Sequence, residues 1–216
     1  MENVNHHLTD ELLMAYAAGT LPEAFGLIVA THVSMCDECR ARMASFDAVG
    51  GSLLDECNTA PLEANSLDAV MAKINGATPA RDEIRMPEGD GVIPAPLIDY
   101  VGRDFADVKW RGLGGGVKHA VIKTGGKATA RLLHIPAGMK LPDHGHKGLE
   151  ATLVLQGAFS DDDGRYGRGD IEIADEHLDH TPVADAGEDC ICLAVTDAPL
   201  KFNSWIPRIA QPFMGI

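Results

Sequence analysis

The chain has 216 residues, 45% of them hydrophobic, with a formal charge of −14 and a pI near 4.9. That length and composition allow a packed core in one large or two small domains, and so large a net negative charge argues against direct binding of nucleic acid. No apolar run reaches the roughly 18 residues of a membrane span, and the start MENVNHHLTDEL lacks the basic and apolar regions of a signal peptide. The expected location is therefore cytoplasmic, where thiols stay reduced and clustered cysteines read as metal ligands or redox groups. Residues 1–57 carry the same sign as the whole, with two Arg, no Lys and nine Asp or Glu. A basic protein surface suits this end better than a nucleic acid does.

Residues 8–56 read as helical. Thr9 or Asp10 can cap a first helix through LLMAYA, which Gly19 ends. Thr20 and Glu23 have capping-box spacing and open a second helix that carries Phe25, Leu27, Ile28 and Val29 toward His32. A third helix follows Cys36, with Met43, Phe46, Val49 and Leu53 as its apolar face. A short fourth helix runs from Ser66 to Asn75 with a stripe of Leu67, Val70, Met71 and Ile74. The helical domain is assigned to residues 1–76. Residues 77–96, rich in Pro and Gly (Pro79, Pro87, Pro94, Pro96), read as a linker. From residue 97 to 216 the pattern is β: HAVIKT, ARLLHIP, ATLVLQG, GDIEIAD and DCICLAVTD, separated by Gly- and Asp-rich turns. Regular short strands of this kind predict a sandwich or barrel. The fold class expected is thus multidomain α + β, a small helical bundle followed by a β-barrel of the jelly-roll type.

Two groups of metal-ligating residues stand out. The first is His32-x3-Cys36-x2-Cys39, with the pair His6-His7 upstream. Thiolate and imidazole are preferred ligands of Zn²⁺, and a structural site takes four in a tetrahedron. On a helix at about 100° per residue, the three downstream positions fall within about one-sixth of the circumference. They can share one face, or two can sit at a helix end and one on the next turn. His6 or His7 supplies the fourth ligand. The alternative is a redox dithiol, but Asp37 and Glu38 inside the CxxC would not lower the thiol pKa as a basic neighbour does.

The second group is Gly138-x5-His144-x-His146-x3-Glu150-x6-Gly157, which fits the first cupin motif at every position. His144 and His146, two apart in a strand, share a face. Glu150 enters at the start of the next strand. Gly169-Asp170 followed by His180 matches the second cupin motif, with His180 as its ligand. Three imidazoles and a carboxylate suit Zn, Mn, Fe or Ni. His177 stands where that motif has glycine and is expected at the surface. Cys190 and Cys192 alternate on a strand and read as small core residues; His119, His134 and Cys57 read as ordinary structural positions.

Over about residues 5–75 the chain resembles the zinc-binding anti-sigma domain family, in which the His nearest the first helix is the ligand; here that implies His7. With the cupin motifs added, the resemblance extends to the ChrR family of zinc anti-sigma factors over almost the whole length. It implies zinc in both domains and an extracytoplasmic-function sigma factor as heterodimeric partner. It also implies a cupin domain needed for sigma-factor release on exposure to singlet oxygen or related oxidants, and no enzymatic activity. The competing reading is a dioxygenase-like cupin enzyme fused to a helical zinc module, although no dedicated catalytic residue is visible outside the ligands. A DNA-reading zinc finger is opposed by the charge and by the lack of a basic helix.

Overall fold

In the computed structural model the described residues are 4–76, 93–145, 147–175, 179–198 and 201–202. The predicted 77–96 linker falls largely outside them, as do His146 and His177.

Four helices come first: α1 (Asp10–Ala17), α2 (Glu23–Met35), α3 (Asp37–Asp55) and α4 (Ser66–Gly76). The Thr9 side chain caps α1 by accepting from the Leu12 N–H, with Asp10 and Glu11 in the first turn where the helix dipole favours them. Gly19, at φ 66°, takes the left-handed turn beyond it. The capping box expected at Thr20–Glu23 does not form. Pro22 occupies the N-cap of α2, so Glu23 lies at the first helical position rather than the third. Its carboxylate instead accepts from the Tyr100 hydroxyl and the Gly125 N–H, both more than 70 residues downstream. The Thr20 hydroxyl donates back to the Ala15 carbonyl.

A fifth helix, α5 (Ala95–Val101), packs on α2, and a single 3₁₀ turn at Phe105–Asp107 follows. Next come the long strands β1 (Arg111–Gly114), β2 (Val117–Ile122), β3 (Thr129–Ile135), β5 (Glu150–Gln156), β8 (Ile171–Ala174) and β11 (Cys190–Thr196). They form one antiparallel sheet in the order β1-β2-β3-β11-β5-β8. The shorter β6 (Ala158–Ser160), β7 (Arg165–Gly167) and β10 (Val183–Ala184) make a second sheet; β4 (His144–Gly145), β9 (Asp179–His180) and β12 (Lys201–Phe202) make a third.

The large sheet has two buried faces. Val154, Cys190, Cys192 and Ile135 turn toward Phe159 and Tyr166 of the second sheet and form the interior of a cupin-like fold whose sheets stay separate rather than closing into the expected barrel. Leu132, Leu153, Leu155, Leu193 and Val195 turn the other way and join one core with Leu13, Phe25, Ile28 and Val29 of the helices. Alternate residues of a strand face opposite sides, which is why adjacent leucines and valines serve different cores. Helix α2 is apolar nearly all round because it is covered on one side by α1 and α3 and on the other by the sheet.

The third helix departs from its predicted apolar face halfway along. Met43 and Phe46 pack on the core. Val49, Leu53 and Leu54 are exposed, because α1 and α2 reach only the first half of α3. The whole predicted stripe of α4 is exposed as well: Leu67, Val70, Met71 and Ile74.

Candidate metal centres and their setting

The first centre is assembled where α2 gives way to α3. His32 lies in the last turn of α2. At Cys36 the backbone leaves the helix (φ −118°, ψ 110°), and Cys36 becomes the N-cap of α3, its sulfur accepting from the Cys39 N–H. Of the two arrangements open to the sequence, the chain therefore adopts a helix end plus the next turn. His7, on the segment before α1, closes the group. Its Nδ1 lies 3.3 Å from Cys36 Sγ and 3.7 Å from Cys39 Sγ. One donor atom from each of His7, His32, Cys36 and Cys39 lies within 4.8 Å of all the others. His6 points elsewhere, to Asp170 and the Tyr166 ring.

These residues fit a zinc ion on two grounds. The donor set is two imidazoles and two thiols, and the 3.3 and 3.7 Å separations of His7 Nδ1 from the two sulfurs suit ligands placed about 2.0–2.3 Å from a common centre. The second ground is His32. Its ring is fully buried, yet neither ring nitrogen has a hydrogen-bond partner among the described residues. An orphaned buried imidazole is costly unless something occupies its lone pair. Burial pulls its pKa down to about 4, against the opposing influence of the Gly169 backbone and Asp170, so the ring is neutral and able to ligate. Without metal, burial pushes the Cys39 thiol up to about 11, although Arg42 nearby favours the thiolate. Arg42 is held by Asp10, with its guanidinium 3.9 Å from Cys39 Sγ. The other nitrogen of His7, Nε2, sits 3.3 Å from Glu38 Oε2, an outer partner of the kind that orients ligating histidines.

The barrel places its motif residues on neighbouring strands. His144 of β4 pairs directly with His180 of β9. Glu150 opens β5 and accepts from the Thr152 hydroxyl. His146 lies outside the described residues.

Two acids that the motif does not predict stand against His180. Its Nδ1 lies 2.9 Å from Asp161 Oδ2 and 3.2 Å from Glu172 Oε1, with all three side chains buried. Burial alone would lower the imidazole, but Glu172 and Asp161 together push it up to about 9. Burial raises Glu172. Asp161 is held below the usual range, against the effect of burial, by hydrogen bonds from Glu172, His180 and the Asp163 and Gly164 backbone. Glu172 was open to detection, since an acid between Ile171 and Ile173 in a strand must face the opposite side from both. Asp161, one of three successive aspartates in a turn, carries no such signal. Cys190 and Cys192 are buried, as expected of core residues, with free thiols 3.4 Å apart.

Geometry thus defines a class: a helical module with a thiolate-rich metal centre, laid against the outer face of a cupin-like sheet. Residues 100–199 match the model of the ChrR cupin-like domain. The anti-sigma-E factor ChrR of Cereibacter sphaeroides is 59% identical over 217 residues, covering 99% of both chains. The chain belongs to the ChrR family. The crystal structure of Rhodobacter sphaeroides SigE in complex with the anti-sigma ChrR contains a chain 58% identical to this one, with a TM-score of 0.80, covering 90% of this chain and all of that one. An RmlC-like cupin from Ralstonia eutropha matches 48% of this chain and 71% of its own at 25% identity, with a TM-score of 0.42.

Proposed function

We propose that this protein is a cytoplasmic anti-sigma factor. It sequesters an extracytoplasmic-function sigma factor and releases it in response to singlet oxygen or a related oxidant. The observation that carries the reading is the unpartnered apolar surface of the end of α3 and of α4. Val49, Leu53 and Leu54 at the end of α3 and Leu67, Val70, Met71 and Ile74 on α4 are all exposed. Scattered exposed apolar residues need no explanation, but seven large ones on two successive helices make a docking surface. The relative crystallised with SigE supports the identity of the partner. Binding rather than turnover is the work of this surface, and no helix among the described residues is long and apolar enough to cross a membrane.

In this reading His7, His32, Cys36 and Cys39 hold zinc, which ties the start of the chain to the α2–α3 junction. Bound zinc supplies folding free energy to a module too small to be rigid without it. His144, His146, Glu150 and His180 hold a divalent metal in the barrel, which spans 97–216 and acts as the sensor. Asp161 and Glu172 hold the His180 ring from behind through Nδ1. The competing dioxygenase reading would require turnover by the barrel.

Co-elution with the cognate sigma factor tests the proposal. The wild-type chain should form a one-to-one complex, and Cys36→Ala or Cys39→Ala should lose both zinc and the complex. Unchanged zinc content and binding in those variants would overturn the thiolate assignment. Retained oxidant-driven release by residues 1–85 alone would overturn the sensor role of the barrel.

A further inference from the structure

Three of the four ligands of the thiolate centre lie within one continuous stretch, from the end of α2 to the first turn of α3. The fourth, His7, lies on a non-helical segment ahead of α1. Leu8 anchors the end of that segment in the core shared with the helices, and the barrel grips its start. Asp170, in the turn between β7 and β8, is buried, and its Oδ1 accepts from the backbone N–H of Asn5 at 2.6 Å and of His6 at 2.9 Å. Its Oδ2 accepts from the Gly167 N–H at 2.8 Å, which aims the carboxylate from its own turn. Ile171 N–H donates to the His6 carbonyl at 3.3 Å. The segment is therefore gripped through both its donors and its acceptor.

Two further contacts fix its direction. The His6 ring packs on Tyr166 with centroids 4.3 Å apart, and its Nδ1 lies 3.5 Å from Asp170 Oδ2. With His6 committed to the barrel, His7 is the imidazole left facing the thiols. Gly169, at φ +93°, lets the turn come so close that a Cβ there would lie 2.8 Å from Val4 Cγ2.

We propose that Asp170 is a positioning residue of the thiolate centre: the barrel carboxylate fixes the segment that delivers His7, so the two domains share one metal site. The proposal rests on the reading that His7, His32, Cys36 and Cys39 hold zinc. It also supplies a route between the domains that bypasses the 77–96 linker. Glu172 follows Asp170 by two residues on the same strand end, and its carboxylate touches His180. Movement of β8 driven from the barrel centre is transmitted to His7 through Asp170.

Zinc and cobalt binding by the full-length chain tests it. Charge transfer from thiolate to Co²⁺ reports the first centre separately from the barrel, and chelator competition gives its affinity. Asp170→Ala should weaken metal at that centre by about 10- to 100-fold, the usual effect of losing an outer partner. Asp170→Asn keeps a carbonyl oxygen for the two N–H groups and should recover most of that loss. His6→Ala removes the ring anchor without touching Asp170 and should loosen the metal several-fold. That variant serves the test if Asp170→Ala fails to fold. A fall in metal-free melting temperature with unchanged metal affinity would mean a merely structural role and would overturn the proposal. Absence of a thiolate–cobalt band in the wild type would instead refute the zinc reading itself.

Discussion

Replacing Leu67 and Met71 of α4 together by alanine separates a docking face from an internal one. Leu67 is 72% exposed and Met71 46% exposed in the free chain. Alanine preserves helix propensity, so the free chain should lose no more than about 0.5 kcal/mol. Complete burial of a Leu or Met side chain is worth about 1.5–3 kcal/mol. Scaled by the fraction still exposed, partner binding could bury about 1–2 kcal/mol on Leu67 and about 0.7–1.4 kcal/mol on Met71. A total of about 2–3.5 kcal/mol corresponds to an affinity loss of about 30- to 300-fold. Titration calorimetry with the sigma factor gives that ratio, and thermal melting of the free variant gives the control. Unchanged affinity with an unchanged melt would refute the reasoning, since the stripe would then remain outside the interface. A large fall in melting temperature would refute it differently, by showing that α4 packs within the chain.

Tyr166 is raised by burial and by the acids around it to about 12, above its ordinary 10. A raised acid contributes stability that is present below its unfolded pKa and lost as pH climbs through the folded value, so unfolding free energy should fall between about pH 10 and 12; Tyr166→Phe should flatten that limb of the profile. In the metal-free protein Cys57 is the exposed thiol, whereas Cys36, Cys39, Cys190 and Cys192 are buried. One equivalent of a thiol reagent should therefore react quickly and four slowly, and Cys57→Ser should abolish the fast phase. Arg131 is buried on β3 with its Nη1 unpartnered among the described residues. Burial disfavours the charge more than the attraction of Glu150 favours it, so exchange for Met should hold or raise the melting temperature. A loss of several degrees would show that the attraction to Glu150 outweighs the burial.

The elements legible in the sequence were those with strong local signals. The Thr9 cap, the Gly19 stop and five of the six long strands (β2, β3, β5, β8 and β11) follow from capping, left-handed glycine and alternation, all of which act over a few residues. The grouping of His32, Cys36 and Cys39 followed from spacing for the same reason, but the choice between His6 and His7 did not. It depends on Tyr166 and Asp170, some 160 residues away, taking His6 aside. Glu23 shows the same limit: its capping-box spacing was satisfied, but Pro22 took the cap and the carboxylate bonded to Tyr100 and Gly125. The exposure of Val49 and Leu53 was equally out of reach, because an apolar face looks the same in sequence whether its cover belongs to the same chain or to a partner.

The grip of Asp170 on Asn5 and His6 joins positions 165 and 164 residues apart. During synthesis the segment leaves the ribosome long before its acceptor exists, by roughly 10–30 s at about 5–20 residues per second. Throughout that interval the helices can fold, yet the segment that carries His7 lacks its barrel anchor. Final assembly of the thiolate centre therefore belongs to the end of translation. A chain truncated within the barrel would carry all four ligands and still lack the part that sets the last of them in place.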